Sequence, residues 1–244
     1  MYEELATIYR RAGFTRLSHE MAARLPQIFK RFGREPRQIC DLACGTGDAV
    51  VRLAQLGYDV IGVDMSAAML KEARALGASA RVQVQWVQAD ARSFQLEEEI
   101  DALTCMGNAL NHLLAADDLR STLRCVYRCL RPHGLFIFDM VTPNGLLNSE
   151  YIETPAEDLL LAWQSSHDVE TGISTLVLSA FVGGADGLYR RIREVHRERA
   201  YPVGEVCALC ADAGLEVLLL GDLRLNTLRE DAGRFLCIAE KPED

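Results

Sequence analysis

The sequence predicts an α/β fold: a doubly wound, mostly parallel sheet with helices on both faces, opened by helices and interrupted late by an antiparallel meander. Three observations predict it. Short strand-like runs alternate with helix-like segments from residue 38 to residue 140, as in a sheet wound with crossover helices. Most of those runs are apolar throughout rather than at alternate positions, which suits strands buried on both faces. After Pro143 the rhythm changes, and strand-like segments follow one another through turns with no helix between them.

Taken in order, residues 1–36 read as helical and amphipathic, ending near Pro36. Gln38–Leu42 is a short buried strand. Asp48–Leu56 is a helix that stops at Gly57, a suitable C-cap. Tyr58–Asp64 is the second strand. Ser66–Leu76 is a helix, with Ser66 as its N-cap and Gly77 after its end. Arg81–Asp90, "RVQVQWVQAD", alternates with period two as a strand does. Ile100–Met106 is a fourth strand. Asp117–Arg131 is a helix closed by the Pro132-His133-Gly134 turn, and Gly134–Met140 is a fifth strand. Residues 144–158 read as loop. Residues 159–201 read as three antiparallel strands with turns near Glu170–Gly172 and Gly183–Gly187. Pro202–Ala213 is a helix, and strands near Leu215–Gly221 and Arg234–Glu240 close the chain.

Composition narrows the function. The 244 residues are 49% apolar and 25% charged, ordinary for a globular domain. The formal net charge of −9 disfavours a grip on nucleic acid through the overall field. No apolar run reaches membrane-spanning length, and "MYEELATIYRRAGF" lacks the apolar stretch of a secretory signal. A cytoplasmic setting is therefore expected, with the eight cysteines reduced. Cys207 and Cys210 form a CxxC, and Cys125 and Cys129 stand one helical turn apart, but no second pair sits at zinc-site spacing. They read as small buried hydrophobes, and no metal is expected.

"ICDLACGTGDAV", Ile39–Val50, carries the chemistry. It lies at a strand's carboxyl end and opens a helix, the place where open parallel sheets bind ligands. Asp64 ends the next strand, where an acid can accept hydrogen bonds from both hydroxyls of a ribose. Asp90 ends the third and could read an adenine amino group. A nucleoside-containing cofactor fits. NAD fits poorly, because Val50 stands where the dinucleotide fingerprint needs a third small residue, and Asp41 would repel a pyrophosphate. A cofactor with a sulfonium and an ammonium would welcome Asp41, so the residues favour S-adenosylmethionine.

"DLACGTGDAV", "VIGVDMSAAML", "VQADARSF" and "IDALTCMGNALNHLL" together resemble the ordered motifs of class I S-adenosylmethionine-dependent methyltransferases, over residues 37 to about 140. The tail "EVHRERAYPVGEVCALCADAGLEV" resembles small-molecule members with an antiparallel insertion over the active site. The resemblance implies a Rossmann-like doubly wound sheet of about seven strands, the last antiparallel. It implies one domain of residues 1–244: a helical cap (1–36), a cofactor-binding half (37–143), an inserted antiparallel lid over the substrate (144–201), and a closing helix and strands (202–244). The Asp41–Gly47 loop, with Ala43, Gly45 and Gly47, would hold the methionine moiety, Asp41 near its ammonium. Asp64 would bind the ribose, and Met65 would pack on the adenine beside Asp90 and Ala91. Cys105, Met106 and Gly107 would line the other side, and Tyr9 and Arg16 would close over the cofactor.

Asn111 and His112 follow the fourth strand, where substrate meets cofactor; a helix cap or a satisfied buried polar group weighs equally against a role in the site, as a cofactor contact for Asn111 and as a catalytic group for His112. Period two puts Arg191, Arg193, Arg197 and Arg199 on one face of the third meander strand, and Glu194, His196 and Glu198 on the other. That strand is either a salt-bridged solvent face or a pocket wall. His196, His112 and Tyr9 are the candidate catalytic bases. The expected acceptor is a small molecule methylated on nitrogen or oxygen, with no nucleic acid and no membrane, in a monomer or homodimer. A non-catalytic binder of S-adenosylmethionine or S-adenosylhomocysteine, and an NAD-dependent oxidoreductase, remain as alternatives.

Overall fold

In the computed structural model, which describes residues 2–146 and 149–243, two sheets share the chain. The first holds β1 (Gln38–Leu42), β2 (Asp59–Asp64), β3 (Gln85–Gln88), β4 (Ile100–Cys105), β5 (Leu130–Val141), β10 (Glu216–Gly221) and β11 (Arg234–Glu240), in the order β10-β11-β5-β4-β1-β2-β3. Strands β1 to β5 pair in parallel, and β11 runs antiparallel to both β5 and β10. Helices α1 (Arg16–Arg31), α2 (Asp48–Gln55) and α3 (Ala67–Ala80) precede or link the first strands; α4 (Ala116–Cys129) and α5 (Val203–Asp212) come later.

The buried strands are apolar because both faces are covered. On β5, Leu135 and Ile137 join a core with α1 and α2, while Phe136 and Phe138 join another with α4 and α5. All four are fully buried. The chain reverses winding direction between β1 and β4, which opens a crevice at their carboxyl ends.

The second sheet has four antiparallel strands, β6 (Ser149–Ala156), β7 (Leu159–Asp168), β8 (Ile173–Gly183) and β9 (Tyr189–Arg199). Period two sets its inner face. Leu159, Leu161, Leu178, Ala180 and Ile192 are buried against Leu5, Ile8 and Ala12 of the N-terminal segment. Each large side chain so buried contributes about 1.5–3 kcal/mol. The N-terminal segment is thus held to the meander and crosses above the crevice.

Several sequence expectations change. Residues 1–36 are not one helical run: a single 3-10 turn (Leu5–Thr7) precedes α1. The stretch 149–156, read as loop, is the edge strand β6; Pro155 misled the reading, and a register shift between Glu153 and Ala156 accommodates it at the edge. Helix α3 runs through Gly77 and is capped by Arg81 in the left-handed region; Arg81 and Val82 donate their N–H groups to Ala78 and Gly77. Those groups are lost to a strand ladder, so β3 is short. Helix α4 ends at Cys129, and β5 begins directly at Leu130. Ser66 caps α3, its hydroxyl accepting from Met69 N–H. The eight cysteines are free thiols, seven of them buried. Among the described residues no helix is long and apolar enough to cross a membrane.

Candidate active site

Two cavities lie between the carboxyl rim of the large sheet and the elements above it. The first, of about 320 Å³, is lined by the loop after β1, by Asp64, Met65 and Ser66 after β2, by residues 89–92, by Cys105, Met106 and Gly107 after β4, by His112, and from above by Tyr2, Tyr9 and Phe14.

The loop after β1 wraps the floor. Ala43, Gly45 and Gly47 all have positive φ, and Cys44 N–H donates to Val63 of the neighbouring strand. Gly47 (φ 79) is required for a second reason: a Cβ there would lie 2.6 Å from the Trp86 ring. Asp64 ties the loop from across the rim. One oxygen accepts Gly45 N–H and the other accepts Ser66 N–H, each at 2.8 Å. Asp41 is 4% exposed and accepts the Thr104 hydroxyl at 2.6 Å. Burial lifts its carboxyl to about 7, the Thr104 bond opposing and Asp64 adding to the rise. Asp90 is gripped by Arg92, whose hydrogen bonds hold its carboxyl below the usual range.

The turn after β4 is fixed from below. Gly107 and Asn108 both have positive φ. Their N–H groups donate to the two oxygens of fully buried Asp139 on β5, at 2.6 and 3.2 Å. Arg234 on β11 pairs with the same carboxylate and reaches Asn108 Oδ1. A Cβ at Gly45 or at Gly107 would meet nothing within 4 Å, so both positions open onto the cavity.

His112 stands at the far wall. Its Nδ1 faces the Arg197 carbonyl at 3.2 Å and its Nε2 faces the Tyr2 hydroxyl at 2.9 Å. A carbonyl only accepts, so Nδ1 carries the proton and Nε2 accepts from Tyr2. Burial lowers the ring to about 4, which keeps it neutral. Burial also lifts the Tyr9 phenol to about 12 and the Tyr2 phenol well above its ordinary value.

The second cavity, of about 370 Å³, lies under the meander. Asn108, Glu198, Arg234, Val141, Leu146, Trp163, Ser165, Ser174 and Leu176 line it. Glu198 and His112 stand at the boundary between the two spaces, with Glu198 Oε1 3.7 Å from His112 Nε2. Glu198 accepts a 2.9 Å bond from Asn108 Nδ2, and burial pushes its carboxyl up.

Of the sequence-named residues, the structure brings Tyr9, Asp41, Ala43, Gly45, Asp64, Met65, Asp90, Ala91, Cys105, Met106, Gly107 and His112 to the first cavity. Four do not line it. Arg16 is exposed at the start of α1, between Thr15 and Ser18, which do line it. Gly47 sits behind the loop, against Trp86. Asn111 is fully buried and spent on backbone: it accepts Val141 N–H and donates to the Val141 and Arg199 carbonyls, clamping β5 to β9. His196, named as a base, is 2% exposed and lies behind Tyr2, the rings stacked at 4.3 Å. The period-two split of β9 holds, and the structure settles its direction: Glu194 and Glu198 lie on the inner face with buried His196, and Arg191, Arg193 and Arg197 are exposed on the other. Sequence reasoning placed Glu194 on a strand face without a role, and missed Tyr2, Asn108, Asp139 and Arg234. Only Asp139 left a signal, an acid inside the apolar run "GLFIFDM".

The comparisons with known proteins follow this geometry. Residues 39–134 match a family described as "Methyltransferase domain". The chain is 30% identical over 187 residues to the "Putative methyltransferase YqeM" of Bacillus subtilis (strain 168), covering 75% of each chain. It is 29% identical to the "Putative methyltransferase GWCH70_2453" of Geobacillus sp. (strain WCH70), over 87% of this chain and 88% of that one. Among solved structures, an S-adenosylmethionine-dependent methyltransferase from Clostridium acetobutylicum ATCC 824 superposes with a TM-score of 0.88 at 22% identity, covering 99% of both chains. CalS10, an amino pentose methyltransferase from Micromonospora echinaspora solved with S-adenosylmethionine bound, shares the fold with a TM-score of 0.76 at 22% identity, over 99% of this chain and 98% of that one. With the motifs, the sheet order and the relatives in agreement, the chain belongs to the class I S-adenosylmethionine-dependent methyltransferases.

Proposed function

We propose that this enzyme methylates the nitrogen of a small-molecule amine, with S-adenosylmethionine in the first cavity and the acceptor in the second. Glu198 carries the reading. It is a mostly buried carboxylate that faces the second cavity, accepts the Asn108 amide, and stands beside the wall of the first. A cationic amine is the ligand such a group selects, because a buried charge seeks an opposite one.

The first cavity fits the cofactor. Asp41 would face its ammonium, and Asp64, with lone pairs to spare beyond its two backbone bonds, would hold the ribose hydroxyls. Met65, 55% exposed at the rim, offers an apolar surface for the adenine between Asp90 and Ala91. Cys105, Met106 and Gly107 would line the opposite side. Tyr9 would cover it. When bound, the cofactor supplies a methyl group on a cationic sulfur that leaves as a neutral thioether.

The chain's own residues then align and deprotonate. Glu198 binds the acceptor's ammonium and takes up the proton that frees its lone pair. Neutral His112 and the Tyr2 hydroxyl keep the boundary polar without adding charge. Asp139 holds the Gly107–Asn108 turn, and so the distance between the two cavities. Trp163, Val141 and Leu176 give the acceptor's body an apolar bed, and the meander closes the site as a lid. The shared fold with an amino pentose methyltransferase is in keeping with this reading.

The test is turnover with methyl-labelled S-adenosylmethionine over matched panels of small amines and small alcohols, read by mass spectrometry. N-methylated product from the amines, lost in Glu198→Gln, is expected. O-methylated product from the alcohols alone would overturn the nitrogen reading.

A further inference from the structure

We propose that Glu194 is a positioning residue: its carboxylate on β9 latches the N-terminal segment across the cofactor cavity and so sets the Tyr2 hydroxyl against His112. This rests on the reading that the first cavity holds the cofactor.

One side chain joins two parts of the chain that are about 190 residues apart. Glu194 Oε1 accepts the N–H groups of Glu4 at 3.1 Å and Leu5 at 3.0 Å. Its Oε2 accepts Tyr2 N–H at 2.9 Å and lies 3.2 Å from His196 Nε2. Among the described residues those three N–H groups of the N-terminal turn have no backbone partner; an ionised carboxylate offers only acceptors and meets all three. His196 first, and then the backbone bonds, lower the Glu194 carboxyl against the cost of its burial.

What the latch holds is the roof of the site. Tyr2 is fixed on three sides: stacked on His196 at 4.3 Å, edge-on to Tyr9 at 5.7 Å, and bonded to His112 at 2.9 Å. Glu3 reaches the Ser66 hydroxyl at 3.3 Å, and Arg10 pairs with Asp48 at 2.9 Å, so the same segment also touches both cofactor-side loops. Leu5 and Ile8 keep it against the meander in either state. Glu194 supplies the part that fixes its register. Four residues on, the same strand presents Glu198 to the acceptor cavity. The latch therefore makes the cofactor roof and the acceptor wall one body.

The experiment measures dissociation of S-adenosylhomocysteine by stopped-flow displacement from wild type, Glu194→Gln and Asp64→Ala. Gln puts an N–H donor against a backbone N–H on one side of the latch and is close in size. The expected result for Glu194→Gln is a dissociation rate about ten-fold higher or more, with a little-changed association rate and a cooperative melt. A purely structural role would lower the melting point and leave the rate alone. A rate within two-fold of wild type, while Asp64→Ala loses affinity, overturns the latch and leaves the cofactor site standing. Unchanged affinity in Asp64→Ala overturns the cofactor site and the latch with it. If the Gln variant does not fold, Glu194→Asp keeps the charge one methylene short; a raised rate supports the latch, and a wild-type rate overturns it.

Discussion

The floor of the site comes from β1, β2 and β4 and is built of neighbours. Asp41 and Asp64 lie at the carboxyl ends of parallel strands, Gly45 and Gly107 lie just past such ends, and their partners lie on adjacent strands of one sheet. The roof and far wall are built from distant pieces. Tyr2 meets His112 across 110 residues and Glu194 across 192; Asn108 meets Glu198 across 90. A wall made of consecutive turns writes itself into the sequence as motifs with fixed spacing. A wall made of long-range contacts leaves only scattered polar residues. In the proposed reading the cofactor side is the first kind and the acceptor side is the second.

The largest effect falls on the floor. Asp64→Ala should weaken S-adenosylhomocysteine binding about 100-fold by calorimetry, since it removes the proposed ribose acceptor and the tie to Gly45, each charge-assisted bond being worth about 1.5–3 kcal/mol. On the far wall the effect moves from binding to turnover. Glu198→Gln should bind S-adenosylhomocysteine within two-fold of wild type and lose at least about ten-fold in kcat on an amine that the wild type methylates. Gly47→Ala sharpens the contrast through stability. The added methyl would crowd the Trp86 ring at a left-handed position, costing about 1–3 kcal/mol by chemical denaturation.

A further effect is a dependence on pH. Burial raises the folded Asp41 carboxyl from an ordinary 3.8 to about 7. The folded state then holds that proton more tightly than the unfolded state, so this residue costs stability increasingly as pH rises from about 4 to about 7. Asp41→Asn should therefore melt above wild type at pH 8, the gap closing toward pH 4. The ammonium of the cofactor needs the ionised form, so wild-type affinity should rise from pH 6 to pH 8 and the Asn variant should lose that rise.

The same contrast explains how much could be read in advance. The parallel core, the glycine loop and the rim acids were legible because strand, turn and helix each carry a local period or cap. The edge strand β6 was hidden by Pro155 and by polar residues that an edge tolerates. Asn111 and His196 were polar residues in suggestive places, and only the fold shows one clamping backbone and the other backing Tyr2. Tyr2 had no signal, and Glu194 was placed only on a strand face by its period of two, because what matters is each other's position and not the spacing around either.

The most direct measurement is side-by-side calorimetry of wild type, Asp64→Ala and Glu198→Gln against S-adenosylhomocysteine. The division of the site into a cofactor floor and an acceptor wall predicts that Asp64→Ala loses about 100-fold while Glu198→Gln stays within two-fold of wild type. Equal losses in both variants, or none in either, would contradict it.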